Sequence, residues 1–185
     1  VPFRTGFANI DNGRLNPINV DTEISMDAII NHYKYGNIMD SLGNRTKVNF
    51  DYYSVRSIVG FRSPFLQTSK ILMKNGETKK AIEVADKYFE NLPISTGVLD
   101  PISIKMAAIY VSTNHEEGYK WVNTLLEEFT LQLNYLNNLQ RKGGYLSGDG
   151  QRLLTHSKQS VSELQNLKNK MGEEEDTEAE EDIQE

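Results

Sequence analysis

The stretch Phe65–Pro93, FLQTSKILMKNGETKKAIEVADKYFENLP, limits the fold more than any other part of the chain. Phe65, Thr68, Ser69, Leu72 and Met73 fall on one helical face. Ala81, Val84, Ala85, Tyr88 and Phe89 repeat the pattern after a break at Asn75-Gly76-Glu77-Thr78. Gly76 can take a positive φ without steric cost and so end the first helix, and Pro93 cannot continue the second. Helices joined by so short a connection run antiparallel and bury their apolar faces against each other. The stretch predicts a helical hairpin.

This hairpin resembles a tetratricopeptide repeat. Phe65, Ser69 and Leu72 match the large–small–large pattern of that repeat's first helix, and Ala81 and Pro93 match its early small residue and closing proline. Ala85 and Tyr88 depart from it by exchanging the usual aromatic and alanine. A second pair of helices is expected over 101–113 and about 115–140, opened by Asp100 as N-cap with Pro101 at the first helical position. Met106, Ala107, Tyr110 and Val111 share a face of its first helix. Trp121, Val122, Leu125, Leu126, Phe129, Leu133 and Leu136 form a long stripe on its second. Thr68, Ser69 and Leu72 align with Met106, Ala107 and Tyr110 at an offset of 38, and Ala81 with Gly118 at 37, near the period of such repeats. An overlong second helix and no closing proline suit a terminal, capping repeat. The expected fold class is all-α, with tetratricopeptide-like antiparallel hairpins in a short right-handed superhelix.

Around this centre, residues 1–22 read as an extended or looped segment packed through Phe3, Phe7 and Leu15. The helical domain is expected over 23–140. It begins with a short helix from about Glu23 to Tyr35, capped by Thr22 or Ser25 and ended by Gly36, followed by a loop over 37–50. A helix from near Asp51 then runs, kinked or nearly continuous, through Pro64 to Lys74. Ile94–Val98 reads as a loop. Residues 141–170 are expected to form a glycine hinge, KGGYLSGDG, and a last helix over 151–170 with Leu153, Leu154, Val161, Leu164 and Leu167 on one face.

Composition adds a charge asymmetry. The formal charge is −6, yet Glu173–Glu185 holds nine of the 26 acidic residues and no basic one, which leaves 17 acidic against 20 basic residues and about +3 elsewhere. A block of like charges repels itself, so 171–185 is expected to be a disordered acidic tail. The chain has no cysteine, which excludes disulfides, thiol catalysis and cysteine metal sites. No apolar run approaches the 18 or so residues of a membrane span.

The order of the elements resembles a known family. GRLNPINVDTE, INHYKYGNIMD, an aromatic-rich helix, NGETKKAIEVADKYFENLP and a second hairpin ending in EEFTLQLNYL occur together. They are similar to the soluble C-terminal region of large polytopic bacterial membrane proteins of unknown function, which themselves look like protein O-mannosyltransferases. The likeness covers roughly residues 1–140. It is most specific at Asn19-Val20-Asp21-Thr22, Tyr35-Gly36-Asn37-Ile38-Met39-Asp40 and Leu133-Asn134-Tyr135. It implies a periplasmic domain anchored through a transmembrane region upstream of Val1. That family's sugar-transfer residues would lie in the membrane part, so none transfers to this chain.

The residues themselves offer little chemistry. His32, His115 and His156 stand far apart without metal-ligand spacing and read as surface or half-buried polar residues. No GxSxG or SxxK element is recognisable in a catalytic context, and the glycines of GGYLSGDG lack the Lys-Ser/Thr of a phosphate loop. Glu116-Glu117 and Glu127-Glu128 diverge by about 100° on a helix and make solvated faces. Lys70, Lys74, Lys79 and Lys80 lack the aromatic interleaving of a nucleic-acid surface. No cofactor, metal site or nucleic-acid partner is expected. The surplus is tyrosine. Tyr33, Tyr35, Tyr52, Tyr53, Tyr110, Tyr119 and Tyr135 either line a groove for a protein or glycan partner or pack ordinary cores and interfaces. Tyr35, Tyr53, Tyr110 and Tyr119 are the candidate binding residues. The expected function is a non-catalytic interaction module, with a structural role in assembly as the alternative.

Overall fold

The structure, a computed structural model, describes residues 10–11, 14–15, 21–33, 52–92 and 99–181, with side chains over 21–33, 60–92 and 99–171. It is all-α apart from one two-residue antiparallel pair among the described residues, β1 (Ile10–Asp11) with β2 (Arg14–Leu15), in register Ile10 to Leu15. The helices are α1 (Thr22–Asp27, running on as a π-turn over Ala28–His32), α2 (Tyr52–Lys74), α3 (Thr78–Asn91), α4 (Pro101–Val111), α5 (Glu117–Arg141) and α6 (Gly148–Glu181). The chain divides into two compact units, Val1–Val98 and Leu99–Glu185. The expected helical domain over 23–140 is thus split, and α6 belongs with α4 and α5.

Local sequence explains where the helices stop. At the end of α2, Gly76 has φ +77°, the Gly76 N–H donates to Met73 O at 3.1 Å and the Glu77 N–H reaches back to Leu72 O at 2.9 Å. That pair of bonds around one left-handed residue satisfies carbonyls that the helix end leaves without partners. Two further helices end the same way. After α4, Asn114 has φ 50°, its N–H donates to Val111 O at 3.2 Å, and the His115 N–H donates to Tyr110 O at 3.0 Å. After α5, Gly143 has φ +74°, its N–H donates to Gln140 O at 3.2 Å, and the Gly144 N–H donates to Leu139 O at 3.0 Å. A Cβ on Gly144 would sit 2.7 Å from Leu139 O, so this glycine is required by the close approach. The supposed hinge is therefore a built helix end, followed by Leu146 buried with Leu136 and Leu154.

Helix starts are equally local. Asp100 Oδ1 accepts from the Ile102 N–H at 2.7 Å and the Ser103 N–H at 3.3 Å, with Pro101 at the first helical position, as expected. In α1 the cap is Asp21, whose carboxylate accepts from the Ile24 N–H at 3.3 Å; the expected caps, Thr22 and Ser25, lie inside the helix. Pro64 sits within a single α2, as the nearly continuous reading required. It leaves the carbonyl of Gly60 without its helical donor, and Gly60 is exposed, so water can take the place of the missing N–H.

In the first unit, α2 and α3 bury Phe65, Leu72, Ala81, Val84, Ala85, Tyr88 and Phe89 against each other, with Thr68 and Ser69 beside them. Ile29 of the π-turn joins this core. Rings meet edge to face along it: Tyr33 to Phe65 at 6.3 Å, Phe65 to Tyr88 at 5.6 Å and Tyr88 to Phe89 at 5.0 Å between centroids. Each such side chain contributes about 1.5–3 kcal/mol by leaving water.

In the second unit, α4 buries Ile104, Met106, Ala107, Ile109, Tyr110 and Val111, and α5 buries Val122, Leu125, Phe129 and Leu136. Gly118 marks the closest approach: a Cβ there would meet Met171 Cε at 3.3 Å and Tyr110 Cβ at 3.4 Å. The packing face of α6 differs from expectation. Ser157 and Ser160 are buried with Leu154, Leu164 and Met171, while Leu153 is 40% exposed. The helix also runs on to Glu181, into the stretch expected to be a disordered tail. Glu and Ala are strong helix formers, and a helix already nucleated extends through them despite charge repulsion.

The residues expected as a closing Pro93, a loop over 94–98, a loop over 37–50 and packed Phe3 and Phe7 lie outside the described residues.

Two glycine substitutions should move stability in opposite directions. Gly76→Ala forces a side chain into the left-handed region and should cost about 1–2 kcal/mol. Gly60→Ala, at an exposed helical position with nothing within 4 Å of a new Cβ, should gain about 0.5–1 kcal/mol. Urea midpoints of the two variants check both signs.

Candidate functional site

Of the four candidate tyrosines, Tyr110 and Tyr119 have described side chains. Tyr110 is in the core at 1% exposure, its ring centroid 5.2 Å from that of His115. It is packing, not a groove wall. Position on the apolar face of α4 put it there, since both neighbours α5 and α6 cross that helix. Tyr119 is half-buried near the start of α5. Tyr53 lies in α2 with its side chain outside the described residues, and Tyr35 lies outside them altogether. Of the other tyrosines, Tyr33 is half-buried against Phe65, whereas Tyr135 is 63% exposed.

His156 is exposed, and the other two histidines contact their own neighbours in the chain. Nδ1 of His115 accepts from the Glu117 N–H at 3.4 Å, and the His115 carbonyl accepts from the Gly118 N–H at 2.8 Å, so this residue covers the start of α5 while its ring lies over Tyr110. His32 Nε2 is 3.0 Å from Asp27 Oδ2 on the exposed side of the π-turn. Among the described residues, no group of three or more His, Asp or Glu side chains could hold a metal ion. No described helix is long and apolar enough to cross a membrane.

Charged groups with displaced titration are surface pairs. The Asn31 amide, donating to Asp27 Oδ1 at 2.8 Å, and then His32 hold the Asp27 carboxyl below its ordinary value. Lys80 Nζ, 2.6 Å from Glu77 Oε2, lowers the Glu77 carboxyl and has its own value raised. Such exposed pairs are solvent-screened and do not form an acid–base site.

Two features escaped sequence reasoning. Arg62 is fully buried, its guanidinium carbon 5.9 Å from the centroid of the Tyr88 ring. Its position one turn before Phe65 on the buried face of α2 was the available signal. The hydroxyls of Ser25, Thr68 and Ser69 are buried without a hydrogen-bond partner among the described residues. The second feature is an exposed apolar pair on α5, Leu131 at 64% and Tyr135 at 63%, one turn apart. Their shared helical face was visible in the spacing of four.

No known protein family, curated protein or solved structure matches the chain.

Tyr110→Ala should cost about 3–5 kcal/mol, as for other buried aromatics, while Tyr119→Ala at its half-buried position should cost less than about 1.5 kcal/mol; thermal melts of both decide which tyrosine holds the fold. Glu77 supplies a pH test. Because its folded value is lowered from 4.5, its stabilising increment is fully present above that value and is lost as pH falls through the folded value. Glu77→Gln should therefore lower the urea midpoint at pH 7 and leave it unchanged at pH 2.

Proposed function

We propose that this chain is a non-catalytic interaction module of tetratricopeptide-like hairpins, forming the membrane-anchored, periplasmic C-terminal part of a protein O-mannosyltransferase-like glycosyltransferase and holding a protein or glycan for it. The observation that carries the reading is internal repetition. Leu72, Gly76 and Glu77 of the first hairpin and Tyr110, Asn114 and His115 of the second, each 38 residues on, build the same helix end. Ala81, Ala85, Tyr88 and Leu92 are buried, and so are Gly118, Val122, Leu125 and Phe129, each 37 residues on. Repeated helical hairpins commit their regular positions to packing and leave the remaining surface for recognition.

A structural role is the second reading, favoured by the exposed Leu131 and Tyr135, because apolar surface of that kind is covered when subunits assemble.

The chain contains a single tryptophan, Trp121, half-buried two residues from Tyr119. Titration of the folded protein with a mannosylated peptide and with its unmodified counterpart, followed by Trp121 emission, tests the binding reading. A saturable change that weakens at least tenfold in Tyr119→Ala is expected. No change with either ligand, in a protein whose melting curve is intact, would transfer the weight to the structural role.

A further inference from the structure

The exposed side of α5 carries a second helical seam, distinct from the one that builds the core. Thr124, Glu128, Leu131, Tyr135 and Asn138 follow one another at spacings of four, three, four and three. That alternation keeps them on one face of the helix, and Leu131 and Tyr135 are its apolar members. The core-facing residues Val122, Leu125, Phe129 and Leu136 lie on a different face, and this seam is open at its centre, where Leu131 and Tyr135 stand well out in water.

One flank of the seam is already taken: Gln132 Oε1 accepts from Ser157 Oγ at 2.9 Å and Leu139 packs against the cluster of Leu136, Leu146 and Leu154 on the α6 side. The other flank carries Glu127, Asn134 and Arg141, all exposed. Glu127 and Arg141 lie the same seven residues, two helical turns, on either side of Asn134. Among the described residues neither has an ion-pair partner.

We propose that this seam is a homodimer interface in which α5 of one copy packs antiparallel on α5 of a second, about a two-fold axis beside Asn134. The arrangement is self-complementary, as an isologous contact must be. Reversal about Asn134 sets Glu127 of each copy beside Arg141 of the other and lays the Leu131–Tyr135 pair of each copy across that of the other, offset by two residues. A parallel pairing would instead set Glu127 beside Glu127 and Arg141 beside Arg141, where like charges repel. A foreign helix would need no such symmetry. The charge pattern therefore selects a second copy of this chain, and the small apolar centre makes the dimer a weak one that forms at high local concentration, as on a membrane. The interface stands apart from the ligand-binding reading, because Tyr119 lies off the seam.

The test uses the intact chain, in sedimentation equilibrium from low micromolar to millimolar concentration. The average mass should rise from 21.1 kDa toward twice that value, and Leu131→Asp should hold it at the monomer with an unchanged melting curve. Arg141→Glu should weaken the dimer several-fold and Glu127→Arg in the same chain should restore it. Orientation has a clean readout, since the protein lacks cysteine. Asn134→Cys should form a disulfide-linked dimer on oxidation, and an equal mixture of Glu127→Cys and Arg141→Cys should cross-link where Glu127→Cys alone does not. A monomer at every concentration, a dimer indifferent to Leu131→Asp, or efficient self-cross-linking of Glu127→Cys would each overturn the proposal.

Discussion

One left-handed residue at the end of each of α2, α4 and α5 governs how the chain folds back there. A helix leaves its last carbonyls without donors, and a reversal that buried them bare would cost more than the packing returns. Gly76, Asn114 and Gly143 resolve this alike: each turns the chain so that the next N–H groups bond back to carbonyls of the last turn. The direction of exit is then set within a few residues, and so is the face that the next helix presents. Small residues at the entry of the following helix, Ala81 and Gly118, allow the close approach that this geometry requires. Asn can stand where Gly stands elsewhere because its side chain tolerates the left-handed region better than most.

These features were largely legible, because they are local. The turn at Gly76, the Asp100-Pro101 start, passage through Pro64 and the buried faces of α2 to α5 all follow from spacing and from the chemistry of single residues. What was not legible depends on how far a neighbour extends. Periodicity placed Tyr110 on a face with Met106 and Ala107, but not the depth at which α5 and α6 cover that face, so a core ring read equally well as a groove wall. On α6 the leucines suggested one seam, whereas the packed line runs through Ser157 and Ser160, small enough to let the helix lie close to α5, and leaves Leu153 outward. The acidic end misled for a different reason: charge counting weighs repulsion between side chains and not the helix propensity of Glu and Ala in a helix already formed.

Length mismatch explains the shape of the second unit and what it leaves unfinished. At a rise of about 1.5 Å per residue, α4 spans roughly 16 Å and α5 roughly 37 Å. α4 therefore covers less than half of its partner. The remainder needs α6, and two contacts give its register: Ser157 meets Gln132, and Met171 meets Gly118, so the two helices run antiparallel along the whole of α5. That is why a chain with two hairpins carries a third long helix, and why α6 cannot be a detachable extension.

A single added helix, however, covers one side only. Beyond the reach of α4, the second half of α5 has a buried face against α6 and an opposite side with no described element over Leu131 and Tyr135. A polar pair of residues would have closed the matter at no cost in solubility, and the neighbouring positions Glu127, Glu128, Asn134 and Asn138 are polar. Two large apolar side chains one turn apart, with Glu127 before them and Arg141 after them, are the surface that the proposed pairing of two copies would cover. The length of α5 beyond the reach of α4 is thus also what leaves this surface open.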